Sequence, residues 1–178
     1  MKKFNYFTLL FLLLSLTQYS FSQLTSKEKK IIEKGADAKI EFIKTEGLLK
    51  NIFNNAYGYA ILPNVGKGAI VLGAAAGNGP VYEKGKLIGM ASMTQVTIGF
   101  QTGGQAYREV IFFENKKTLD RFKNNNIEFS AQASAVALTE GAVANVKYID
   151  GVMIFAQTKG GLMYEASIGG QQFKFRKL

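Results

Sequence analysis

Glycine interrupts nearly every β-prone run from Tyr57 to the end of the chain. There are 19 glycines and two prolines among 178 residues. Gly and Ala inside strands allow a strand to bend sharply or to approach another backbone closely. The β-prone runs cover residues 57–62, 68–75, 81–83, 87–90, 94–101, 105–113, 127–138, 146–149, 152–157, 162–168 and 172–175. This pattern predicts an antiparallel sheet that is bent at its glycines or curled into a partial barrel.

Three short segments between these runs are typical of turns. Pro63-Asn64 closes the first run, Gly77-Asn78-Gly79-Pro80 follows the second, and Lys84-Gly85-Lys86 separates the third from the fourth. Gly, Pro and Asn are the residues that tight turns favour. We therefore predict that the chain reverses direction at each of these segments.

Helices are predicted before the first β run and once within the β region. Thr25 or Ser26 opens the first helix, with Glu28 in capping-box spacing from Thr25. A short second helix follows Gly47, and Asn115 is the predicted N-cap of an internal helix. In the first helix, apolar residues at helical spacing are Ile32, Ala36, Ile40 and Ile43, with Ile31, Ala38 and Phe42 on an adjacent stripe. The predicted fold class is α+β, with amino-terminal helices and one internal helix on the sheet.

The first 22 residues have the pattern of a secretory signal peptide. Lys2 and Lys3 precede an apolar run, and Ser20-Phe21-Ser22 is a small-x-small cleavage signal. The uncharged run at 4–16 is short for the roughly 20 residues that a membrane span needs. We predict a signal peptide at 1–22 and a single domain at 23–178. The domain is then exported to a periplasm, an outer envelope or the extracellular space.

The composition excludes much of the chemistry of enzymes. The chain has no Cys and no His, so it has no thiolate, no imidazole base and no ligands of the usual zinc type. The glycine-rich segment at 73–79 fails the dinucleotide pattern, because Tyr82 stands where a glycine is needed. Glu83 and Glu165 are the carboxylates to test first if hydrolase activity were found. We predict a protein that is not an enzyme and that needs no cofactor or metal.

Positive charge predicts an anionic partner. The chain has 22 basic and 13 acidic residues, a net charge of +9, which falls to +7 when Lys2 and Lys3 leave with the signal peptide. Export argues against nucleic acid as the partner. On the first helix, Lys30/Glu33, Lys34/Asp37 and Glu41/Lys44 have the spacing of i,i+3 ion pairs, which predicts a largely self-paired face.

The carboxy-terminal segment combines charge with alternation. Phe173 and Phe175 alternate with Lys174 and Arg176, and Lys177 follows. In a strand this spacing places the two aromatic rings on one side and the two cations on the other. Basic residues at an anionic lipid surface contribute on the order of 1 kcal/mol each.

The order of several motifs resembles the SYLF domain family. The motifs are Tyr57-Gly-Tyr-Ala-Ile-Leu-Pro63-Asn-Val-Gly-Lys67, the segment Gly73 to Gly79, Ile98-Gly-Phe-Gln101-Thr-Gly-Gly-Gln105 leading into Glu109-Val-Ile-Phe-Phe113, and Gly161-Leu-Met-Tyr-Glu-Ala-Ser167-Ile-Gly169-Gly170. The resemblance covers about residues 30 to 172 and implies a lipid-binding domain. Eukaryotic relatives bind phosphoinositides through an amphipathic amino-terminal helix and a basic surface, and some regulate actin. The first helix here is balanced in charge, so we carry over lipid binding and not actin regulation or inositide specificity.

These observations predict peripheral binding to an anionic phospholipid or membrane surface. The expected cations are Lys27, Lys30 and Lys34 on the first helix and Lys174, Arg176 and Lys177 at the carboxy terminus. Ile31 and Phe42 are candidates for apolar insertion, with packing in the core as the rival explanation, especially for Phe42. The alternative function is a structural or partner-binding envelope protein that recognises protein or polysaccharide.

Overall fold

The computed structural model describes residues 24–68, 73–97, 106–124, 135–137, 146–158, 161–165 and 171–178. The predicted signal peptide lies outside these residues, as do the parts of the predicted β runs at 69–72, 98–101, 105, 127–134, 138 and 166–168. Within the described ranges the chain forms three helices and eight strands. The helices are α1 (Ser26–Thr45), α2 (Leu49–Asn55) and α3 (Lys116–Lys123). The strands are β1 (Gly58–Gly68), β2 (Gly73–Glu83), β3 (Lys86–Thr97), β4 (Ala106–Phe113), β5 (Ala135–Ala137), β6 (Val152–Thr158), β7 (Gly161–Glu165) and β8 (Gln171–Lys177).

All eight strands belong to one antiparallel sheet, in the order β5-β7-β6-β4-β1-β2-β3-β8. β4 and β8 are four positions apart in this order, a separation of about 19 Å in a flat sheet. Their side chains nevertheless meet, because Gln171 Nε2 donates a hydrogen bond of 3.1 Å to Glu109 Oε2. The sheet is therefore strongly curved, and the predicted α+β fold with a partial barrel is confirmed.

Both faces of the sheet are covered. The concave face holds one apolar cluster, into which α3 inserts Leu119 and Phe122, and the Phe122 ring lies 5.4 Å from that of Phe173. The convex face holds a second cluster, in which Phe42 of α1 and Phe53 of α2 pack on the sheet. Alternation within each strand supplies both clusters, since neighbouring residues point to opposite faces.

The predicted helix starts are confirmed. The Thr25 side chain accepts a hydrogen bond from the Glu28 backbone, and Glu28 bonds back to Thr25, which completes the capping box. Asn115 caps α3 through the backbone N–H of Thr118, 3.1 Å away. Polar side chains at these positions satisfy the donors that a helix start leaves unpaired.

The buried side of α1 matches the second predicted stripe, which contains Ala38 and Phe42, and not the first, which contains Ile40. Gly35, Ala38 and Phe42 are buried, whereas Ile40 is 62% exposed. A Cβ on Gly35 would lie 2.8 Å from Cγ of Pro80, so the helix approaches β2 where its surface is smallest. Gly35 extends this buried side toward the start of the helix, and a count of apolar residues misses it.

One predicted turn is correct and two are strand. Lys84 and Gly85 have φ of 47° and 76° and form a tight turn between β2 and β3. Residues 77–80 continue β2. The backbones of Gly79 and Ile61 approach so closely that a Cβ on residue 79 would lie 1.8 Å from the carbonyl oxygen of Ile61, so only glycine fits there. Pro63 and Asn64 form an irregularity within β1 rather than its end. Pro80 lies opposite that irregularity, outside the segments of β2 that are in register with β1, and irregular pairing is a position where strands tolerate proline.

Candidate functional site

A groove on the convex face runs between the start of α1 and strands β2, β3 and β8. Its cavity volume is about 330 Å³, near the lower end of the range of ligand sites. The residues that line it are Thr25, Lys27, Glu28, Ile31, Asn78, Met90, Ala91, Ser92, Lys174, Phe175 and Arg176. The groove therefore joins the two ends of the domain, which are distant in sequence.

Strand register builds the floor of this groove. Asn78, Ser92 and Lys174 are direct neighbours on β2, β3 and β8. In the next outward-facing row, Met90 pairs with Pro80 on one side and with Arg176 on the other. Each row starts with a neutral residue on β2 and ends with a cation on β8. The positive side of the groove is therefore its β8 side.

The first two turns of α1 form the roof. Gly35 contacts Pro80 and fixes the height of the helix above the sheet. Lys27 and Ile31 lie two turns and one turn before Gly35, at spacings that keep them on neighbouring parts of one helix face. Ile31 is half-buried and Lys27 is exposed. The helix thus places one apolar and one cationic side chain over the outward rows of β3 and β8.

A salt bridge ties this roof to the floor. Arg176 donates from its guanidinium to Oε1 of Glu28. The other oxygen of that carboxylate accepts hydrogen bonds from the backbone N–H of Thr25 at 2.8 Å and from its hydroxyl at 2.9 Å. Glu28 therefore caps the helix and also holds Arg176. Among the described residues of the lining there are three cations, Lys27, Lys174 and Arg176, and one carboxylate, Glu28.

Half of the predicted site residues meet at the groove. Lys27, Ile31, Lys174 and Arg176 line it. Lys30 and Lys34 are exposed on α1 beside the groove and do not line it, and Lys177 is exposed at the end of β8. The predicted alternation in β8 is confirmed, because Phe173 is buried in the concave cluster while Lys174 and Arg176 are exposed on the other face.

Phe42 is not at the surface. It is fully buried in the convex cluster with Leu49 and Phe53. Its position corresponds to the rival explanation, core packing, because α1 docks on the sheet through the stripe that ends in this ring. The prediction that Phe42 could insert into a membrane is therefore wrong, because its ring is buried in the core.

The predicted self-pairing of α1 is also wrong. Among the described residues, none of the pairs Lys30/Glu33, Lys34/Asp37 and Glu41/Lys44 forms a salt bridge. The acids of α1 that form ion pairs reach to the sheet instead, as Glu28 does to Arg176. Likewise, Glu41 reaches Arg108 of β4 at 3.9 Å. The exposed lysines at the start of α1 thus keep their charge available to solvent.

Glu83, one of the two carboxylates set aside for a hydrolase test, belongs to a structural network. Its Oε1 accepts a 2.8 Å hydrogen bond from the Tyr57 hydroxyl, and this bond raises the pKa of Tyr57. Its Oε2 lies 3.7 Å from Nζ of Lys123. Lys123 in turn contacts Asp120 at 2.8 Å, and hydrogen bonds from Lys116 and Lys123 lower the pKa of Asp120. The side chain of Glu165 lies outside the described part of the structure.

Sequence reasoning missed the floor of the groove and its acid. Met90, Ser92 and Asn78 are ordinary strand residues, and only the register between three strands brings them together. Glu28 was predicted as a cap, and its second role depends on Arg176, which is 148 residues away in sequence. Alternation along β3 predicts that Met90 and Ser92 lie on one face of the sheet. No local signal predicts which residues of β2 and β8 lie beside them.

The fold and the groove define an α+β domain whose helix start and last strand share a cationic cleft. Residues 94–177 match the family described as Ysc84, Las17-binding protein actin regulator. The chain is 31% identical over 153 residues to beta cell expansion factor A of Aeromonas veronii. That alignment covers 84% of this chain and 58% of the relative, so the chain spans little more than half of that protein's length.

The Ysc84 domain is also called SYLF, so this match over about half of the chain confirms the resemblance noted in the sequence. The family match starts in β3 and ends in β8, so it includes Lys174 and Arg176. The alignment with the relative is longer than the family match and covers most of the chain. In the described part of the chain, no helix has the length and apolar character needed to cross a membrane.

Proposed function

We propose that this domain binds anionic lipid surfaces, without catalysis, through the groove and the exposed lysines beside it. The observation that carries the proposal is the meeting of Lys27 and Ile31 of α1 with Lys174 and Arg176 of β8 at one cleft. Two segments that were proposed separately from the sequence thus become one cationic surface with an apolar component. Clustered cations bind an anionic membrane with about 1 kcal/mol per residue, and an apolar side chain adds to this when it is buried in the interface.

Unpaired charge on α1 supports the same proposal. Lys30 and Lys34 continue the positive edge from Lys27 along the helix, and neither forms a salt bridge among the described residues. Cations that are already paired would have to break those bonds before they could contact phosphate. Lysines that are exposed and unpaired avoid this cost, so their attraction to a lipid surface is retained.

The predicted signal peptide sets the proposed location. An exported domain meets lipid in a periplasm or outer envelope, or on other membranes after secretion. The family description names Las17 binding and actin regulation. We do not extend these to this chain, since an exported protein is separated from cytoplasmic actin.

Charge reversal at the groove tests the proposal. The double variant Lys27→Glu/Lys174→Glu is compared with Lys50→Glu/Lys117→Glu, which changes the net charge equally at exposed residues that do not line the groove. Sedimentation with vesicles of phosphatidylcholine and phosphatidylglycerol measures binding at low and high salt. We expect the groove variant to lose about tenfold or more in affinity, and the control about threefold or less.

The controls make the result decisive. Binding of the unaltered protein should weaken as salt rises and should be absent on vesicles of phosphatidylcholine alone. Equal losses in the two double variants would show that net charge acts without a site. Binding that is unchanged in high salt would contradict the electrostatic part of the proposal.

A further inference from the structure

The interior of the groove contains apolar side chains that a flat membrane surface would not reach. Its floor contains Met90, which is only 7% exposed, and its roof contains the half-buried Ile31. A membrane that touches only the rim would leave this apolar interior unused. A cleft with cations at one side and apolar groups inside fits an elongated molecule that has a charged head and a hydrocarbon tail.

The position of Glu28 shows that the cleft already holds an anion. Its carboxylate lies between the guanidinium of Arg176 and the N–H at the start of α1. Arg and helix amino termini are the groups that bind phosphate and carboxylate in many proteins. Glu28 therefore occupies a place where the acidic head of a ligand would find the same partners.

We propose that the groove binds one molecule of a phosphate-bearing lipid, with the phosphate between Lys27, Lys174 and Arg176 and the start of an acyl chain over Met90 and Ile31. Glu28 competes with that phosphate for Arg176 and so limits the affinity. This inference rests on the proposed function and adds a defined stoichiometry, a headgroup chemistry and an internal competitor.

The test uses monomeric alkyl phosphates, which carry the head and tail without a membrane. Isothermal titration of the full domain with inorganic phosphate and with butyl, hexyl and octyl phosphate separates the two parts of the ligand. We expect one site per chain and affinity that rises by up to about fourfold per methylene group until the groove is full. Inorganic phosphate that binds as tightly as octyl phosphate would show an ion site without lipid character and would overturn the proposal.

A tryptophan in the groove provides the matched comparison. Ser92→Trp fills the floor and leaves every charge in place, while Thr94→Trp adds the same side chain to the same face of β3 at an exposed position that does not line the groove. We expect Ser92→Trp to weaken octyl phosphate binding by about tenfold or more and Thr94→Trp to leave it nearly unchanged. Ile31→Trp blocks the cleft from the helix side and replaces Ser92→Trp if that variant fails to fold by circular dichroism. Equal affinity in the blocked and control variants would overturn the proposal.

Removal of the competitor gives a result of opposite sign. Glu28→Gln keeps the capping box, since Gln serves at this position, and releases Arg176 from the carboxylate. We expect tighter binding of octyl phosphate, by about threefold to tenfold. Unchanged or weaker binding would contradict the role of Glu28.

Vesicle binding, measured in parallel, separates this inference from the proposed function. If the unaltered protein binds vesicles but calorimetry detects no binding of octyl phosphate, the groove ligand is overturned and surface binding is retained. Loss of both would overturn both.

Discussion

The two halves of α1 have opposite relations to the rest of the domain. From Gly35 to Thr45 the helix is fixed by the buried residues Gly35, Ala38 and Phe42. From Ser26 to Lys34 every residue is described and none is buried. This first half is joined to the sheet by the salt bridge between Glu28 and Arg176. One continuous helix therefore supplies a structural element and, in the proposed function, a binding element, and the boundary between them is Gly35.

The difference shows how a small domain can expose a row of cations on a helix whose other half is packed in the core. Apolar burial in the second half positions the first half over β3 and β8. The first half is then free to carry lysines that a buried helix face could not tolerate. Changes in the second half should therefore affect unfolding, and changes in the first half should affect binding.

The largest expected effect is that of Phe42→Ala. Removal of a fully buried phenyl ring leaves a cavity, and we expect the free energy of unfolding in urea to fall by about 3–5 kcal/mol. Ile40→Ala, two residues earlier at a mostly exposed position on the same helix, should change it by no more than about 0.5 kcal/mol. Similar losses in the free energy of unfolding at both positions would contradict the conclusion that Phe42 is buried and Ile40 is exposed.

The contact between Gly35 and Pro80 should give the next largest effect. A methyl group at Gly35 meets a rigid ring at 2.8 Å, so Gly35→Ala should lower stability by about 1–2 kcal/mol although Ala favours helices. Gly47→Ala is the control, because its added methyl group meets nothing within 4 Å. We expect that control to be neutral or slightly stabilising in the same urea titration, and a stabilising Gly35→Ala would contradict the close packing.

Loss of the capping box should act mainly on the first half. Thr25→Ala removes the hydroxyl that accepts the Glu28 N–H bond, a change of about 1 kcal/mol in helix stability. We expect faster hydrogen exchange at residues 26–34 with little change at 38–45. Uniformly faster exchange along α1 would show that the two halves unfold as one unit.

The smallest expected effect concerns alkaline pH and the packed second half. Burial raises the pKa of Tyr59 to about 12, and its hydroxyl accepts a 3.4 Å hydrogen bond from Lys39. A raised pKa means that the unfolded chain loses this proton first, so stability is complete below about pH 10 and declines as the pH rises toward 12. Tyr59→Phe should show a shallower decline over that interval in urea titrations, and identical slopes would contradict the effect of burial.

Local signals in the sequence were sufficient for the helix starts, the Lys84-Gly85 turn and the alternation of β8. Each of these depends on residues within a few positions of one another. The strand character of 77–80, the buried stripe of α1 and the floor of the groove depend on contacts between distant segments. Gly79 could be understood only with Ile61 beside it, and Arg176 only with Glu28. The sequence therefore indicated cations at both ends of the groove but not that they meet.

The central claim is that the first half of α1 and strand β8 together form the membrane-binding surface. Hydrogen–deuterium exchange of the full domain, with and without phosphatidylglycerol vesicles, tests it most directly. We predict slower exchange on vesicle addition in residues 24–34 and 171–178, with no change in 38–45. Protection confined to other segments, or equal protection along the whole of α1, would contradict it.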